Sequence, residues 1–135
     1  MAILVSGGAG YIGSHTCIEL LNAGYDIVVA DNYYNASPVV LDRVKQITGK
    51  DFRFYKADMT RREDVEKIFS ECPDITAVIQ FAAYKAVGES VSKPIEYYSN
   101  NIGNTLTLVD VMREHGCKSI IFSSSATVYG DPDSL

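Results

Sequence analysis

A dense run of glycines near the start of the chain is the strongest chemical signal in the sequence. It reads Gly7-Gly8-Ala9-Gly10-Tyr11-Ile12-Gly13, which fits G-x-x-G-x-x-G from Gly7 and G-x-G-x-x-G from Gly8. Glycines permit a tight turn and let backbone amides approach a pyrophosphate, and a following helix adds free N–H groups and a positive dipole end. An apolar run precedes the glycines and a helical pattern follows them, so the motif predicts a phosphate cradle rather than a plain turn.

Asp31 is the second candidate, 18 residues after Gly13 at the end of a predicted strand. An acidic side chain at this place can accept hydrogen bonds from the adenosine ribose of a dinucleotide, and it repels a 2′-phosphate. Residues 32–36 contain no Arg or Lys that would offset that charge. The sequence therefore favours NAD over NADP, with an aspartate that only starts a turn as the alternative interpretation.

Three further groups follow later strands. Asp58 and Met59 are placed to contact adenine, although a helix-entry aspartate explains Asp58 equally well. The small residues of Phe81-Ala82-Ala83 leave room for a cofactor, because ligands of doubly wound folds bind outside the carboxyl ends of strands. Ser123-Ser124-Ser125 offers hydroxyls to a substrate alcohol, but alone this motif is more often structural. No His, Cys, Asp or Glu set has metal-ligand spacing, so no metal is expected.

The elements that position these residues alternate along the chain. Strands are predicted at 3–6, 26–30, 52–57, 76–81 and 118–123. Helices are predicted from Tyr11 to just before Gly24, from Pro38 (capped by Ser37) to Gly49, after the capping box 60–63, and from Pro94 to Gly116. Parallel strands need helix-sized crossovers, so the pattern predicts an α/β fold with a parallel sheet covered on both faces.

Apolar stripes at helical spacing identify the side chains expected to face the core. In chain order these are Ile12, Cys17, Leu20, Leu21, Leu41, Val44, Ile47, Val65, Ile68, Phe69, Cys72, Ile102, Leu106, Val109 and Met112. The last four, on the fourth helix, form the longest stripe.

Composition narrows the partners. The 135 residues suit one domain, and 12 Lys and Arg against 17 Asp and Glu give a net charge of -5, which disfavours nucleic acid and anionic membranes. No apolar stretch approaches the ~20 residues of a membrane helix, and no basic leader is seen. Cys17, Cys72 and Cys117 are scattered, as expected of buried thiols in a reducing compartment such as the cytoplasm.

Longer segments resemble the UDP-glucose 4-epimerases, a family within the extended short-chain dehydrogenase/reductases. They are the glycine turn, Asp31-Asn32, Asp58, and the runs FAAYKAVGES (81–90), YYSNN (97–101) and SSSATVYG (123–130). The resemblance covers the whole chain, and KAVGES and SSSATVYG carry most of its specificity. It implies a Rossmann-type domain that binds NAD and a UDP-hexose substrate, with hydride passing from the sugar C4 to NAD and returning to the opposite face of a 4-keto intermediate.

The resemblance also implies a role for each matching position. Ser125 would hydrogen-bond the C4 oxygen of the sugar. The cofactor contacts would be Gly7, Gly10, Tyr11, Ile12 and Gly13 at the pyrophosphate, Asp31, Asn32 and Asn35 around the adenosine ribose, Asp58 and Met59 at adenine, and Phe81, Ala82, Ala83, Lys85 and Asn100 along the remaining walls.

Two departures from the family bear on activity. Gln80 stands where the family usually has His, for which a modest local change is expected. The family's general base is the Tyr of a Y-x-x-x-K motif downstream of the serine strand, and none of the 9 tyrosines here is followed by Lys at that spacing. Residues 1–135 are therefore predicted to be the NAD-binding domain of an epimerase, inactive alone. The resemblance also implies a homodimer built partly from the long fourth helix.

The sequence leaves alternatives open. Another sugar-nucleotide enzyme of the same family, such as a 4,6-dehydratase or a decarboxylase, would share these residues and differ mainly downstream. A non-catalytic NAD-binding module is the second alternative. If the sheet stopped at the fifth strand, an exposed edge prone to association would also be expected.

Overall fold

The computed structural model describes residues 1–34, 36–82, 91–124 and 130. Strands and helices alternate along them, as the sequence predicts. Their bounds are β1 (Ala2–Ser6), α1 (Tyr11–Asn22), β2 (Asp26–Asp31), α2 (Val39–Thr48), β3 (Arg53–Lys56), α3 (Arg62–Glu71), β4 (Ile75–Gln80), α4 (Pro94–Glu114) and β5 (Ser119–Phe122).

The strands form one parallel sheet in the order β3-β2-β1-β4-β5. The chain runs outward from β1 to β3 on one side and then restarts beside β1 with β4. This reversal creates a switch point between the carboxyl ends of β1 and β4, which is where sheets of this order bind ligands. The predicted Rossmann-type doubly wound fold is confirmed.

Two apolar layers cover the sheet because successive strand residues point to opposite faces. On β1, Leu4 belongs to the layer that α3 and α4 cover with residues such as Val65 and Leu108. Its neighbour Val5 belongs to the layer that α1 and α2 cover with residues such as Cys17. Burial on both faces explains the nearly continuous apolar runs of β1 and β2, whereas the apolar residues of the edge strand β5 are exposed.

Two helix starts differ from their predictions. Helix α2 begins one residue later, at Val39, whose N–H donates to Ser37 Oγ at 3.4 Å. The prediction of a capping box at Thr60 is wrong. The Thr60 hydroxyl donates to Asp58 Oδ1 at 2.5 Å, and α3 has no side-chain cap bond. Asp58 competes locally for the threonine that the pattern assigned to the helix.

The main burial error lies on α4. The stripe residues Ile102, Leu106 and Val109 are 50%, 66% and 45% exposed, and of that stripe only Met112 is buried. The buried residues of α4 are Tyr97, Asn104, Leu108, Val111 and Met112. Spacing shows which residues share a face, but the contacts of α4 with the sheet and α3 decide which face is inside.

Three smaller burial predictions also need correction. Ile12 and Ile47 are exposed, at 52% and 66%, and Leu20 is only partly buried. Ile12 is in the first turn of α1 and Ile47 in the last turn of α2.

The cysteines fit their prediction. Cys17, Cys72 and Cys117 are all buried as free thiols. Burial raises the pKa of the Cys17 thiol to about 12, so it is held as the unreactive thiol. In the described part of the chain, no helix is both long and apolar enough to cross a membrane.

Candidate functional site

A cavity opens at the carboxyl ends of β1 to β4, over the switch point. Nine of the residues that the sequence predicts for the site line this cavity. The lining is Gly7, Gly10, Asp31, Asn32, Tyr34, Ala36, Ala57, Asp58, Met59, Phe81, Ala82, Asn100 and Asn104.

The glycine turn leaves β1 at Gly7, whose N–H donates to the Ala30 carbonyl at 2.8 Å. Gly7 has φ +79°, which favours glycine, and a Cβ there would lie 2.6 Å from the backbone nitrogen of Ala82. The turn therefore packs directly against the chain that leaves β4. No residue with a side chain fits at this contact.

The start of α1 is equally close to the turn. A Cβ on Gly13 would overlap the Gly7 carbonyl oxygen. Ser14 is the first residue of α1 whose N–H donates a helix-type hydrogen bond, to the Gly10 carbonyl at 2.9 Å. The N–H groups of Tyr11, Ile12 and Gly13 precede it and lack an intrahelical acceptor by geometry, which makes this turn a site for an anion.

Tyr11 and Ile12 do not line the cavity through their side chains. Tyr11 is 82% exposed and contacts His15 edge-on, with ring centroids 4.9 Å apart. What these two positions offer to an anion is their backbone N–H groups.

Asp31 connects the turn to the end of β2. Its side chain is buried, Oδ2 accepts from the Ala9 N–H at 3.0 Å, and Oδ1 accepts from the Tyr33 N–H at 2.8 Å. Each carboxylate oxygen can accept a second bond. The turn role and the ligand role predicted for Asp31 are thus compatible in one side chain.

Asp58 lies at the same edge and makes the helix-entry contacts that the sequence left as the alternative. Its Oδ1 accepts from the N–H of Thr60 at 2.9 Å as well as from its hydroxyl, and its own N–H donates to Asp64 Oδ2 at 2.9 Å. Both Asp58 and the buried Met59 line the cavity.

The β4 side of the cavity is held from α4. Gln80 and Asn104 are buried, and Gln80 Nε2 donates to Asn104 Oδ1 at 2.6 Å. Asn104 Nδ2 in turn donates to the Ala82 carbonyl at 2.7 Å. Sequence reasoning missed Asn104, because the stripe it followed lies on the opposite face of α4.

The cavity has three more unpredicted lining residues: Tyr34, Ala36 and Ala57. Asn104 had a usable signal, since it is a polar residue in phase with Tyr97, Leu108 and Val111 on the buried face. The other three carry no pattern that separates them from ordinary loop residues.

Asn35, Ala83, Lys85 and Ser125, which the sequence placed in the site, lie outside the described residues. Among the residues that are described, no group of three or more His, Cys, Asp or Glu is arranged to hold a metal ion.

The cavity can now be compared with known proteins. The sequence profile of the NAD-dependent epimerase/dehydratase family matches residues 3–135. The chain belongs to this family. The match begins at β1 and takes in the glycine turn and every strand end that lines the cavity.

Two relatives in the family are UDP-glucose 4-epimerases of bacteria. The one from Bacillus subtilis is 61% identical over 133 residues, and the one from Haemophilus influenzae is 60% identical over 132 residues. Each alignment covers 98% of this chain and 39% of the relative. The chain thus spans about two fifths of the length of these relatives.

Solved structures of the family superpose closely. UDP-glucose 4-epimerase from Bifidobacterium longum, in complex with NAD+ and UDP, has a TM-score of 0.94 at 57% identity and covers 100% of this chain and 40% of its own. The enzyme from Brucella ovis, in complex with NAD, has a TM-score of 0.85 at 37% identity, with 99% and 38% covered.

Proposed function

We propose that this chain is the NAD-binding part of an enzyme that interconverts UDP-glucose and UDP-galactose by epimerisation at C4. The observation that carries this proposal is the 61% identity to a UDP-glucose 4-epimerase across 98% of the chain, strands and cavity included. The activity belongs to the longer protein, since the 135 residues contain no Y-x-x-x-K motif for the general base.

The cavity fits NAD on its own geometry. Side chains are excluded at Gly7 and Gly13, so backbone N–H groups can approach a pyrophosphate without obstruction. Asp31 places a buried negative charge at the end of β2, where it can accept hydrogen bonds from a ribose diol and repels a 2′-phosphate. The glycine turn supports a dinucleotide, and Asp31 supports NAD over NADP as the preferred cofactor.

Each part of the site then has a task. The first turn of α1 binds the pyrophosphate, Asp31 with Asn32 and Asn35 orients the adenosine ribose, and Asp58 with Met59 borders adenine. Bound NAD supplies a hydride acceptor that also returns the hydride. Ser125 would hydrogen-bond the C4 oxygen of the sugar. The remaining residues would form the walls beside the cofactor: Phe81, Ala82, Ala83, Lys85 and Asn100.

The test is conversion of UDP-galactose by the full-length protein, followed by NMR of the sugar. UDP-glucose is the expected product, and Ser125→Ala should reduce kcat about tenfold, because a hydrogen bond that positions the C4 oxygen is lost. Ser119→Ala, at an exposed serine of β5, is the matched control and should leave kcat unchanged.

Other products would overturn the proposal in distinct ways. A 4-keto-6-deoxy sugar would identify a dehydratase, and release of CO2 from a UDP-uronic acid would identify a decarboxylase. NAD binding without turnover of any UDP-sugar would identify a non-catalytic module.

We also propose that the full-length protein forms a homodimer through α4. Its exposed face carries five apolar side chains with spacings of three and four residues, the pattern of helices that pair lengthwise. They are Ile95, Tyr98, Ile102, Leu106 and Val109, which are 73%, 67%, 50%, 66% and 45% exposed. A second copy offers the same stripe, so the interface would be self-complementary.

The compartment follows from the thiols and from the substrate. Three buried, unpaired cysteines suit a reducing environment, so we place the protein in the cytoplasm. The proposed UDP-galactose substrate places it in galactose metabolism.

A further inference from the structure

Two buried amides hold the chain that leaves β4. Asn104 on α4 and Gln80 at the end of β4 are 3% and 2% exposed. Asn104 Nδ2 donates to the Ala82 carbonyl at 2.7 Å, and Gln80 Nε2 donates to Asn104 Oδ1 at 2.6 Å. We call these three groups the β4 clamp.

The chemistry of the three groups fixes their orientation. A carbonyl oxygen only accepts hydrogen bonds, so Asn104 must present its nitrogen to Ala82 and its oxygen to Gln80. Gln80 must then present its nitrogen to Asn104. Its Oε1 is left without a hydrogen-bond partner among the described residues, as is the buried Ser6 Oγ on the adjacent strand.

Burying two amide side chains is costly even when they bond each other, and an apolar pair of similar size would avoid that cost. The stability of the fold therefore does not explain why polar side chains occupy this place. What the clamp holds is the position of the Ala82 backbone.

That backbone forms part of the site in two ways. Ala82 lines the cavity, and its backbone touches the glycine turn, since a Cβ on Gly7 would lie 2.6 Å from Ala82 N and 2.9 Å from Ala82 Cα. Asn100, one helical turn before Asn104, lines the cavity beside it. Displacing Ala82 would change the β4 wall while the contacts of Asp31 and Asp58 stay in place.

We propose that Asn104 is a positioning residue for the cofactor, which acts through the Ala82 carbonyl. It fixes the wall that receives the second nucleoside of NAD, the half that carries the reactive ring, and leaves the adenosine half unaffected. This inference rests on the proposed binding of NAD. Gln80 supports Asn104 by holding its oxygen.

The experiment compares two ligands on the full-length protein by calorimetry. NAD occupies both sides of the cavity, whereas ADP has the adenosine and the pyrophosphate and lacks the second nucleoside. Asn104→Ala should raise the Kd for NAD about tenfold, the effect of one lost hydrogen bond, and should change the Kd for ADP less than about twofold. Asn22→Ala, at the exposed end of α1, is the matched control and should change neither.

A second variant separates positioning from stability. Gln80→Leu combined with Asn104→Leu removes both amides together, which keeps the core filled and leaves only the Ala82 carbonyl without its donor. We expect it to unfold at the temperature of the wild type and still to show the selective loss of NAD affinity.

Three results would overturn the inference. One is an equal loss of NAD and ADP affinity in Asn104→Ala, which indicates general damage, and another is wild-type NAD affinity in the double variant, which indicates a purely structural pair. A wild-type protein that binds no NAD would remove the proposed function, and the inference with it.

Discussion

The two sides of the cavity are built by different means. On the adenosine side, at the ends of β2 and β3, Asp58 and one oxygen of Asp31 accept from backbone N–H groups two residues away. The other oxygen of Asp31 accepts from the Ala9 N–H in the glycine turn. On the β4 side, the Ala82 carbonyl is held by the side chain of Asn104 on α4. One side is fixed by backbone N–H groups of the strand-end turns and the glycine turn, and the other by tertiary packing of α4.

This difference predicts which substitutions propagate. A carboxylate of the adenosine side can be altered with limited effect on the opposite wall, because its hydrogen bonds run to its own strand end and, for Asp31, to the glycine turn. A wall held from a helix follows any change in that helix. The glycine turn touches both sides, so substitutions there should have the largest effect of all.

Gly13→Ala tests the shared turn. The added Cβ overlaps the Gly7 carbonyl oxygen, so the turn must open. We expect NAD binding to be lost and the free energy of unfolding to fall by about 3 kcal/mol, as for overpacking at a rigid contact. Calorimetry with NAD and urea denaturation measure the two effects.

Gly103→Ala is the matched control, because no atom lies within 4 Å of its added Cβ, in the middle of α4. It should bind NAD normally and gain up to about 1 kcal/mol from the better helix former. If Gly13→Ala bound NAD like the wild type, the close turn would not be the cradle.

Asp31→Asn tests the adenosine side. Loss of the charge should raise the Kd for NAD about tenfold or more, since hydrogen bonds to charged groups contribute about 1.5–3 kcal/mol. The Kd for NADP should rise less, because a repulsion is removed at the same time, so the preference for NAD narrows. Native mass spectrometry and titration with both cofactors measure the ratio, which a general loss of stability would not alter.

Asp26→Asn is the control for this charge change, at the exposed start of the same strand. An NAD/NADP ratio that is unchanged in Asp31→Asn would assign Asp31 to the turn alone.

The residues that the sequence predicted and the one that it missed differ in the same way as the two sides of the cavity. The glycine turn, Asp31 and Asp58 were found from the sequence because a motif or a position directly after a predicted strand marks them, and the distant contact of Asp31 with Ala9 joins two parts of that motif. Asn104 was missed because its role depends on which face of α4 meets the sheet. Strand pairing was predictable from alternation and crossover length, whereas the face of α4 was not, since its most regular apolar stripe points outward.

Leu106→Glu tests that outward face. A charge in the centre of a paired stripe should weaken association at least about tenfold, since a buried unpaired charge is costly, and should leave NAD affinity unchanged. Light scattering over a concentration series measures the mass. Ile47→Glu on α2 is the control, with the same 66% exposure but outside the stripe. A wild-type protein that is monomeric at all concentrations would contradict the dimer.

Asp110→Asn should have the smallest effect. It tests the surface attachment of α4 to α3 separately from the buried attachment of α4 through Asn104. At the surface, Asp110 accepts hydrogen bonds from Arg62 on α3 and from Arg113, 48 and 3 residues away, with its side chain 38% exposed. Exposed pairs of this kind contribute little to stability, and less in high salt. We therefore expect a small, salt-sensitive loss of stability and no change in the Kd for NAD, in contrast to Asn104→Ala.

The pH dependence of this loss has a definite sign. Its hydrogen bond with Arg62, above all, lowers the pKa of Asp110 in the folded chain. The folded state then binds fewer protons than the unfolded state, so the contribution is complete above the usual carboxyl pKa and disappears as the pH falls through the lowered one. Urea titrations should show the wild type and Asp110→Asn converging in acid. A difference in stability that persisted at low pH would show that the charge of Asp110 is not its cause. A changed Kd for NAD would show that this surface attachment also shapes the β4 wall.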